Sequence, residues 1–199
     1  MRRQIFLLLM AIGLLSCNKS ESPNEIKYYS KLTGIISPFL EYKPRGQLSL
    51  QELNDKTYYK VTYDSANRIS EIEYYKGTNA DNQSYYYTHS VKYQYKPDQL
   101  IRTYFDDQGN RMAMWRHYYQ GDAIHKEVFQ LNEQGKRVSL QLFDTLGNRV
   151  SNGLNIYEYQ VNHLNDHQFI QQQFDSLGNP LTLTGYFPFE KALISTDQY

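Results

Sequence analysis

The chain is expected to fold as an all-β protein, an antiparallel meander of hairpins forming a single twisted sheet or an open barrel or sandwich. Three observations point there. Tyrosine occurs 20 times and clusters in runs such as Tyr58-Tyr59, Tyr74-Tyr75, Tyr85-Tyr86-Tyr87 and Tyr118-Tyr119, and aromatic residues favour the pleated, half-buried surface of a strand. Several short segments alternate polar and apolar residues with period two, which sends one set to each face of a strand. Between those segments one turn-forming phrase recurs, built on an Asp with Gly or Asn three residues later.

At the N-terminus Arg2 and Arg3 precede an unbroken apolar stretch, Ile5 to Leu15, followed by Ser16 and the only cysteine, Cys17. That order is a secretory signal. Eleven apolar residues fall short of the roughly 20 that a spanning helix requires. The end of the stretch, Leu14-Leu15-Ser16-Cys17, resembles the lipobox of bacterial lipoproteins. The resemblance implies cleavage between Ser16 and Cys17, diacylglycerol on the Cys17 thiol and an acylated, palmitate-type amine. Several acyl chains on one residue anchor stably where a single chain does not. Asn18 in place of Asp after the cysteine implies the outer membrane, on its periplasmic or cell-surface side. Residues 1–16 are therefore expected to be a cleaved signal peptide. Residues 17–27, polar and containing Pro23, should form a lipidated N-terminus and flexible tether, and residues 28–199 a single β-rich domain.

Removing the signal leaves 19 Lys and Arg against 21 Asp and Glu. The near balance, without a basic block, argues against a nucleic-acid partner. With the one thiol taken by the lipobox the domain must do without disulfides, and a chain of this length is able to bury a core unaided.

Along the domain, Leu32 to Leu40, with Gly34 and Pro38, fits a first strand or a short helix ahead of a turn at Lys43-Pro44-Arg45-Gly46. Strands are expected at Tyr58 to Tyr63, Tyr85 to Tyr95, Met112 to Tyr119, Ile124 to Leu131, Arg137 to Phe143, Ile156 to Val161, Phe169 to Phe174 and Leu181 to Phe187. In Tyr85 to Tyr95 the odd positions, including His89, Tyr93 and Tyr95, form the packed face. Tyr86, Thr88, Ser90, Lys92 and Gln94 form the wet one, which makes Tyr86 the candidate contact residue. The tail from Glu190 to Tyr199 is too short in pattern to assign.

The turn phrase reads Tyr63-Asp64-Ser65-Ala66-Asn67-Arg68, Phe105-Asp106-Asp107-Gln108-Gly109-Asn110-Arg111, Phe143-Asp144-Thr145-Leu146-Gly147-Asn148-Arg149 and Phe174-Asp175-Ser176-Leu177-Gly178-Asn179-Pro180, with a fainter copy from Leu131 to Arg137. The Asp or Asn side chain caps the turn, and the later Gly or Asn takes the positive-φ position. Successive Asp residues stand 42, 38 and 31 apart, too loose a period for a strict solenoid. Over residues 58 to 187 the phrase resembles the YD repeats of the Rhs family, whose strands wind into β shells. The resemblance implies a strand-rich architecture and a surface role, and it implies no activity.

Catalytic and cofactor motifs are not found: the chain holds no Gly-x-Ser-x-Gly, His-Glu-x-x-His, Walker or dinucleotide-binding glycine pattern. His163 and His167 would make a metal pair on a helix, yet Asn162 to Asp166 reads as a hairpin turn. His89 reads as a packed core residue. Asp106-Asp107 lacks the alternating ligands of a calcium loop. Asp64-Ser65-Ala66, Asp144-Thr145-Leu146 and Asp175-Ser176-Leu177 match the Asp, Ser or Thr, apolar pattern that some Gram-negative bacteria O-glycosylate on exported proteins, so Ser65, Thr145 and Ser176 are candidate attachment sites. Ordinary turn chemistry accounts for the same residues. Two function classes follow. One is a binding or structural lipoprotein of the envelope whose Tyr-rich strands meet a protein or glycan. The other is an envelope polymer hydrolase using paired carboxylates, such as Glu71 with Glu73 or Asp106 with Asp107. The first accounts for both the aromatic surplus and the missing catalytic set.

Overall fold

The computed structural model of the chain describes residues 24–33, 39, 42–82, 88–114, 124–182 and 189–196. Among these residues twelve strands form one antiparallel sheet, as the sequence pattern predicts. The strands are β1 (Glu25–Leu32), β2 (Pro44–Leu48), β3 (Thr57–Tyr63), β4 (Ile69–Lys76), β5 (Asn79–Ala80), β6 (Ser90–Tyr95), β7 (Gln99–Phe105), β8 (Lys126–Leu131), β9 (Arg137–Phe143), β10 (Glu158–His163), β11 (Gln168–Phe174) and β12 (Lys191–Ser195). Their spatial order is β12-β11-β10-β9-β8-β7-β6-β4-β3-β1-β2, with β5 against β4, and the sheet is not closed into a barrel. No helix among the described residues is long and apolar enough to cross a membrane.

One face of the sheet carries the core. Val61, Ile72, Val91 and Tyr104 lie in one cross-strand row, and Phe129, Leu140 and Tyr159 in another. All seven are buried and belong to a single apolar cluster. Cross-strand neighbours on one face are the unit of sheet stabilisation, and burying each such side chain is worth about 1.5–3 kcal/mol.

The sheet curls toward this face. Phe39 packs edge-on against Phe129 of β8 and Phe169 of β11, with centroids 6.0 and 6.3 Å apart, and its carbonyl accepts a hydrogen bond from Arg137 Nη1 at 3.2 Å. Yet Phe39 stands only five residues before Pro44 of β2, a reach of about 18 Å. In a flat sheet nine strand spacings separate β2 from β11, about 43 Å, a gap that two side chains in ring contact do not span. Phe39, and Tyr42 in the same core cluster, therefore fill a concave face. Ile124 and Ile156, both outside the strands, also join that core.

Five expectations change. The turn expected at Lys43-Pro44-Arg45-Gly46 is instead the start of β2, because β1 offers it a ladder in which Arg45 pairs with Lys31; of the segment Leu32 to Leu40 ahead of it, Leu32 ends β1 and 34–38 and 40 lie outside the described residues. Glu25 to Lys27, placed in the tether, belong to β1 and pair with Tyr63, Thr62 and Val61, because β3 offers them a complete ladder. Met112 to Met114 lie outside any strand, although the Met112 N–H still reaches the Tyr104 carbonyl at 3.1 Å; the rest of that expected strand, 115–119, lies outside the described residues. Leu181 and Thr182 are not in a strand, and 183–187 are outside the described set. Lys191 to Ser195, unassigned from sequence, form β12 on β11.

Candidate functional site

The turn phrase has one geometry in six copies among the described residues. The side-chain oxygen of Asp64, Asp106, Asn132, Asp144, Asn152 or Asp175 accepts hydrogen bonds from the backbone N–H groups two and four residues on, all at 2.7–3.0 Å. The residue three positions on, Asn67, Gly109, Gly135, Gly147, Asn155 or Gly178, has φ between +58° and +90°, where only Gly and Asn sit readily. In three copies a second carboxylate oxygen accepts from the Asn at the fourth position: Asn110, Asn148 and Asn179, at 3.0–3.1 Å. In the first copy Arg68 takes that place through Nε and Nη2 at 2.9 and 2.7 Å. These bonds hold the carboxyls below the ordinary range. For Asp144 and Asp175 the leading cause is the side chain of Asn148 or Asn179; for Asp64 and Asp106 partial desolvation opposes the shift and the turn bonds outweigh it.

Three of these turns close the same end of the sheet, after β7, β9 and β11. There Phe105, Phe143 and Phe174 form single bridges to Arg111, Arg149 and Pro180. Neighbouring loops touch: Arg111 Nη1 donates to the Thr145 carbonyl at 3.1 Å, and Asn82 Nδ2 donates to Asp107 Oδ1 at 3.1 Å.

Opposite each of those phenylalanines the next strand enters through a bulge. The N–H of His89, His125 or Tyr157 donates to the carbonyl of Phe105, Phe143 or Phe174 at 2.8–3.0 Å, while the following residue, Ser90, Lys126 or Glu158, is the strand partner of the same phenylalanine. Two residues thus oppose one, the definition of a β-bulge, which re-aims a side chain. His89 consequently packs edge-on against Tyr75 at 5.2 Å, with Nε2 4.0 Å from Glu73 Oε1, both on the outer face. It is buried as expected, but the bulge turns it away from the face that alternation assigns. Thr88 and Ser90, expected on the wet face, are buried; Ser90 lies directly opposite Phe105. His125 likewise donates from Nδ1 to the Met112 carbonyl at 3.1 Å, and burial lowers its pKa, leaving it neutral at physiological pH.

The outer face of β1, β3, β4 and the entry to β6 carries a continuous aromatic row. Tyr28 meets Tyr58 edge-on at 5.7 Å, Tyr58 stacks on Tyr75 at 5.3 Å, and Tyr75 meets His89. Tyr58 is buried although it is no part of the concave core cluster. A row of ion pairs runs beside the rings: Lys60 Nζ lies 2.7 Å from Glu73 Oε2, and Lys92 Nζ lies 3.5 Å from Glu71 Oε1. Tyr75 Oη donates to Glu73 Oε1 at 2.8 Å, and burial followed by that bond raises the Tyr75 pKa, so the phenol stays neutral. The row combines hydroxyls and ring edges with neighbouring ion pairs, the amphipathic chemistry that suits protein or glycan contacts.

On the concave side a charge pair is buried outright. Arg102 Nε lies 2.8 Å from Glu127 Oε2, Tyr104 Oη donates to the same carboxylate, and the Arg102 guanidinium lies over Phe129 at 4.6 Å. Burial lowers the Arg137 pKa to about 10, so it too is charged at neutral pH.

The other sequence-derived candidates fall as follows. Ser16, Cys17 and Tyr86 lie outside the described residues. Ser65 and Ser176 are exposed at turn tips and Thr145 is half-exposed; beside them Leu146 and Leu177 are each 84% exposed. Tyr93 is buried in the concave core, and half-buried Tyr95 stacks beside it at 6.5 Å. Lys92 and Gln94 are exposed, as alternation requires. Glu71 and Glu73 share a face, each engaged by a lysine, and Asp106 is consumed by its own turn. His163 and His167 flank the β10–β11 hairpin, with His163 Nε2 bonded to the Arg137 carbonyl at 2.8 Å. No group of three or more His, Cys, Asp or Glu that could hold a metal occurs among the described residues. Sequence reasoning missed the Asn152 turn, the three bulge residues and the buried Arg102–Glu127 pair. In comparisons with family models, curated proteins and solved structures, nothing matches the chain.

Proposed function

We propose that the chain is a lipid-anchored protein of the bacterial envelope, held at the outer membrane through Cys17, whose domain binds or organises an envelope protein or glycan. The lipobox-like Leu14-Leu15-Ser16-Cys17 supports the anchor. The binding role rests on one observation: the Tyr28-Tyr58-Tyr75-His89 row lies on the face away from the hydrophobic core. Aromatic rings that the core does not use are the typical anchors of a contact surface. Glu71 and Glu73 are held in lysine pairs, Asp106 caps its own turn and Asp107 accepts from Asn82, which favours binding over chemistry. Tyr86, outside the described residues, is a further proposed contact residue. Ser65, Thr145 and Ser176 are the proposed glycan attachment sites, which their placement at exposed or half-exposed turns supports.

The test is affinity capture of the full chain from envelope extracts, comparing wild type with Tyr28→Ala and Tyr86→Ala. A partner identified by mass should be depleted from both variants while their circular dichroism stays that of the wild type. An unchanged partner set with intact folding contradicts the assignment of this face.

A further inference from the structure

The outer face of the sheet has two halves of different chemistry. Over β1 to β6 it carries the ion pairs Lys60–Glu73 and Lys92–Glu71 beside the aromatic row. Over β7 to β11 the charged side chains turn inward, as buried Arg102, Glu127 and Arg137 do. At the outward positions of these five strands, all of them among the described residues, only Lys126 and Glu158 carry charge. Both are engaged: Lys126 Nζ stands 4.5 Å from the centre of the Phe143 ring, and Glu158 Oε2 accepts from Arg149 Nη2 at 2.9 Å. Carboxamides stand where charges usually do. Gln99, Gln130, Ser139, Gln160 and Gln172 form one unbroken row across the five strands, about 19 Å long, with Lys191 of β12 at its far end. The next row places Ile101, Val128 and Gln141 side by side. Gln141 and Gln172 have no side-chain hydrogen-bond partner among the described residues. Strand formation does not call for this composition, since β-branched and aromatic residues are the ones that favour strands. Amide ladders with little charge even carry a stacking hazard, which exposed surfaces ordinarily suppress with mixed charges.

We infer that the outer face of β7 to β11 binds an uncharged polysaccharide whose chain runs along the Gln99–Gln172 row, across the strands. The inference rests on the reading of the outer face as a contact surface and commits this half of it to a neutral glycan. Charge complementarity selects the ligand. A polyanion needs a set of free cations, and Lys126, the one cation within this face, is held over a ring. A protein partner is gripped by buried aromatic and Arg anchors, which the row lacks. Sugar hydroxyls both donate and accept, and a carboxamide offers both a donor and an acceptor with no net charge. Removing an amide from water for such a contact costs far less than removing an ion. The row repeats at the strand spacing of about 4.8 Å, close to the rise of one sugar unit in an extended chain. Ile101 and Val128 beside it give low apolar relief for the C–H face of a ring.

The test is affinity electrophoresis of the full chain, extracted in non-ionic detergent, in native gels cast with dextran, mannan, xylan or a β-glucan, all neutral, and with dextran sulfate as the anionic control. At least one neutral polymer should retard the wild type, and more strongly than dextran sulfate does. Gln130→Ala with Gln160→Ala removes two amides from the row and should raise the Kd for that polymer about tenfold or more, with the wild-type circular dichroism retained. Gln160→Glu, at an exposed position, places a charge of the same shape in the row; it should also weaken retardation, and it carries the reading should the double variant unfold. Tyr28→Ala, on the other half of the face, should migrate as the wild type does, so the glutamine variants and the capture experiment on Tyr28→Ala report on separate surfaces. Retardation lost in Tyr28→Ala but kept in the glutamine variants overturns the inference and leaves the aromatic row as the contact surface. No retardation by any of the neutral polymers, stronger retardation by dextran sulfate, or undiminished retardation of folded glutamine variants also overturns it, whatever partner the capture experiment yields.

Discussion

Asn152 and Asp144 build the same turn in opposite surroundings, and that contrast yields a quantitative prediction. Asn152 is 3% exposed; its Oδ1 accepts from the N–H of Ile156, itself 1% exposed, and its Nδ2 donates to Tyr159 Oη, in a residue 2% exposed. Asn152→Ala strands the buried N–H of Ile156 and removes one hydrogen bond from the Tyr159 hydroxyl. At about 1–3 kcal/mol for the unsatisfied N–H and about 0.5–1.5 kcal/mol for the lost bond, the loss centres at about 3 kcal/mol. The Asp144 side chain serves the N–H groups of Leu146 and Asn148, both exposed. Water replaces it there, so Asp144→Ala should cost only about 1 kcal/mol, as lost helix caps do. For a chain of this size 1 kcal/mol moves the thermal midpoint by about 2–4 °C. Thermal unfolding followed by circular dichroism should therefore show a drop of about 9 °C for Asn152→Ala and about 3 °C for Asp144→Ala. Equal drops, or a larger one for Asp144→Ala, would refute the argument that burial of the turn, and not the turn itself, sets the cost.

Three further outcomes follow from the same physics. The turn carboxyls are depressed in the folded state, so their contribution is complete above the unfolded pKa, about 4, and is lost as pH falls through the lower folded value; changing Asp144 and Asp175 to Asn, as Asn132 and Asn152 already are, should flatten the acid limb of a stability-against-pH profile below about pH 4, and an unchanged limb would count against the assignment. Glu127→Ala leaves the Arg102 charge buried and should cost about 3–5 kcal/mol, whereas Arg102→Met with Glu127→Leu should restore most of it; urea unfolding distinguishes them, and a double variant as weak as the single one contradicts the pair's role. Intact mass of the protein from its native host should exceed polypeptide plus lipid by glycan increments that shrink when Ser65, Thr145 and Ser176 become Ala, and a native mass without that excess removes the modification.

The strands and turns that were legible in the sequence are those fixed by neighbours along the chain. The Asp64, Asp106, Asp144 and Asp175 turns place donor, acceptor and positive-φ residue within five positions, so their chemistry is complete in the local text. Asn152-Gly153-Leu154-Asn155 escaped because its glycine is the second residue, and Asn155, with φ +59°, takes the left-handed position. The bulges at His89, His125 and Tyr157 exist only relative to Phe105, Phe143 and Phe174 on a neighbouring strand, and alternation read along one strand cannot register them. Arg102 and Glu127 are cross-strand partners on the concave side, and their burial depends on the curl that brings Phe39 over β8. Glu25 to Lys27 look like linker until β3 is placed beside them. Of the outer-face row, Tyr58 and Tyr75 were visible as tyrosines in strands; that they stack on each other follows from the β3–β4 register.

The measurement that bears most directly on the proposed role is mass spectrometry of the N-terminal peptide of the protein extracted from membranes of its native host. The account predicts a peptide that begins at Cys17 and carries the added mass of a diacylglycerol and an acyl chain, and that disappears from the membrane fraction in Cys17→Ser. A peptide that begins elsewhere, or Cys17 found unmodified in membrane-bound protein, would contradict it.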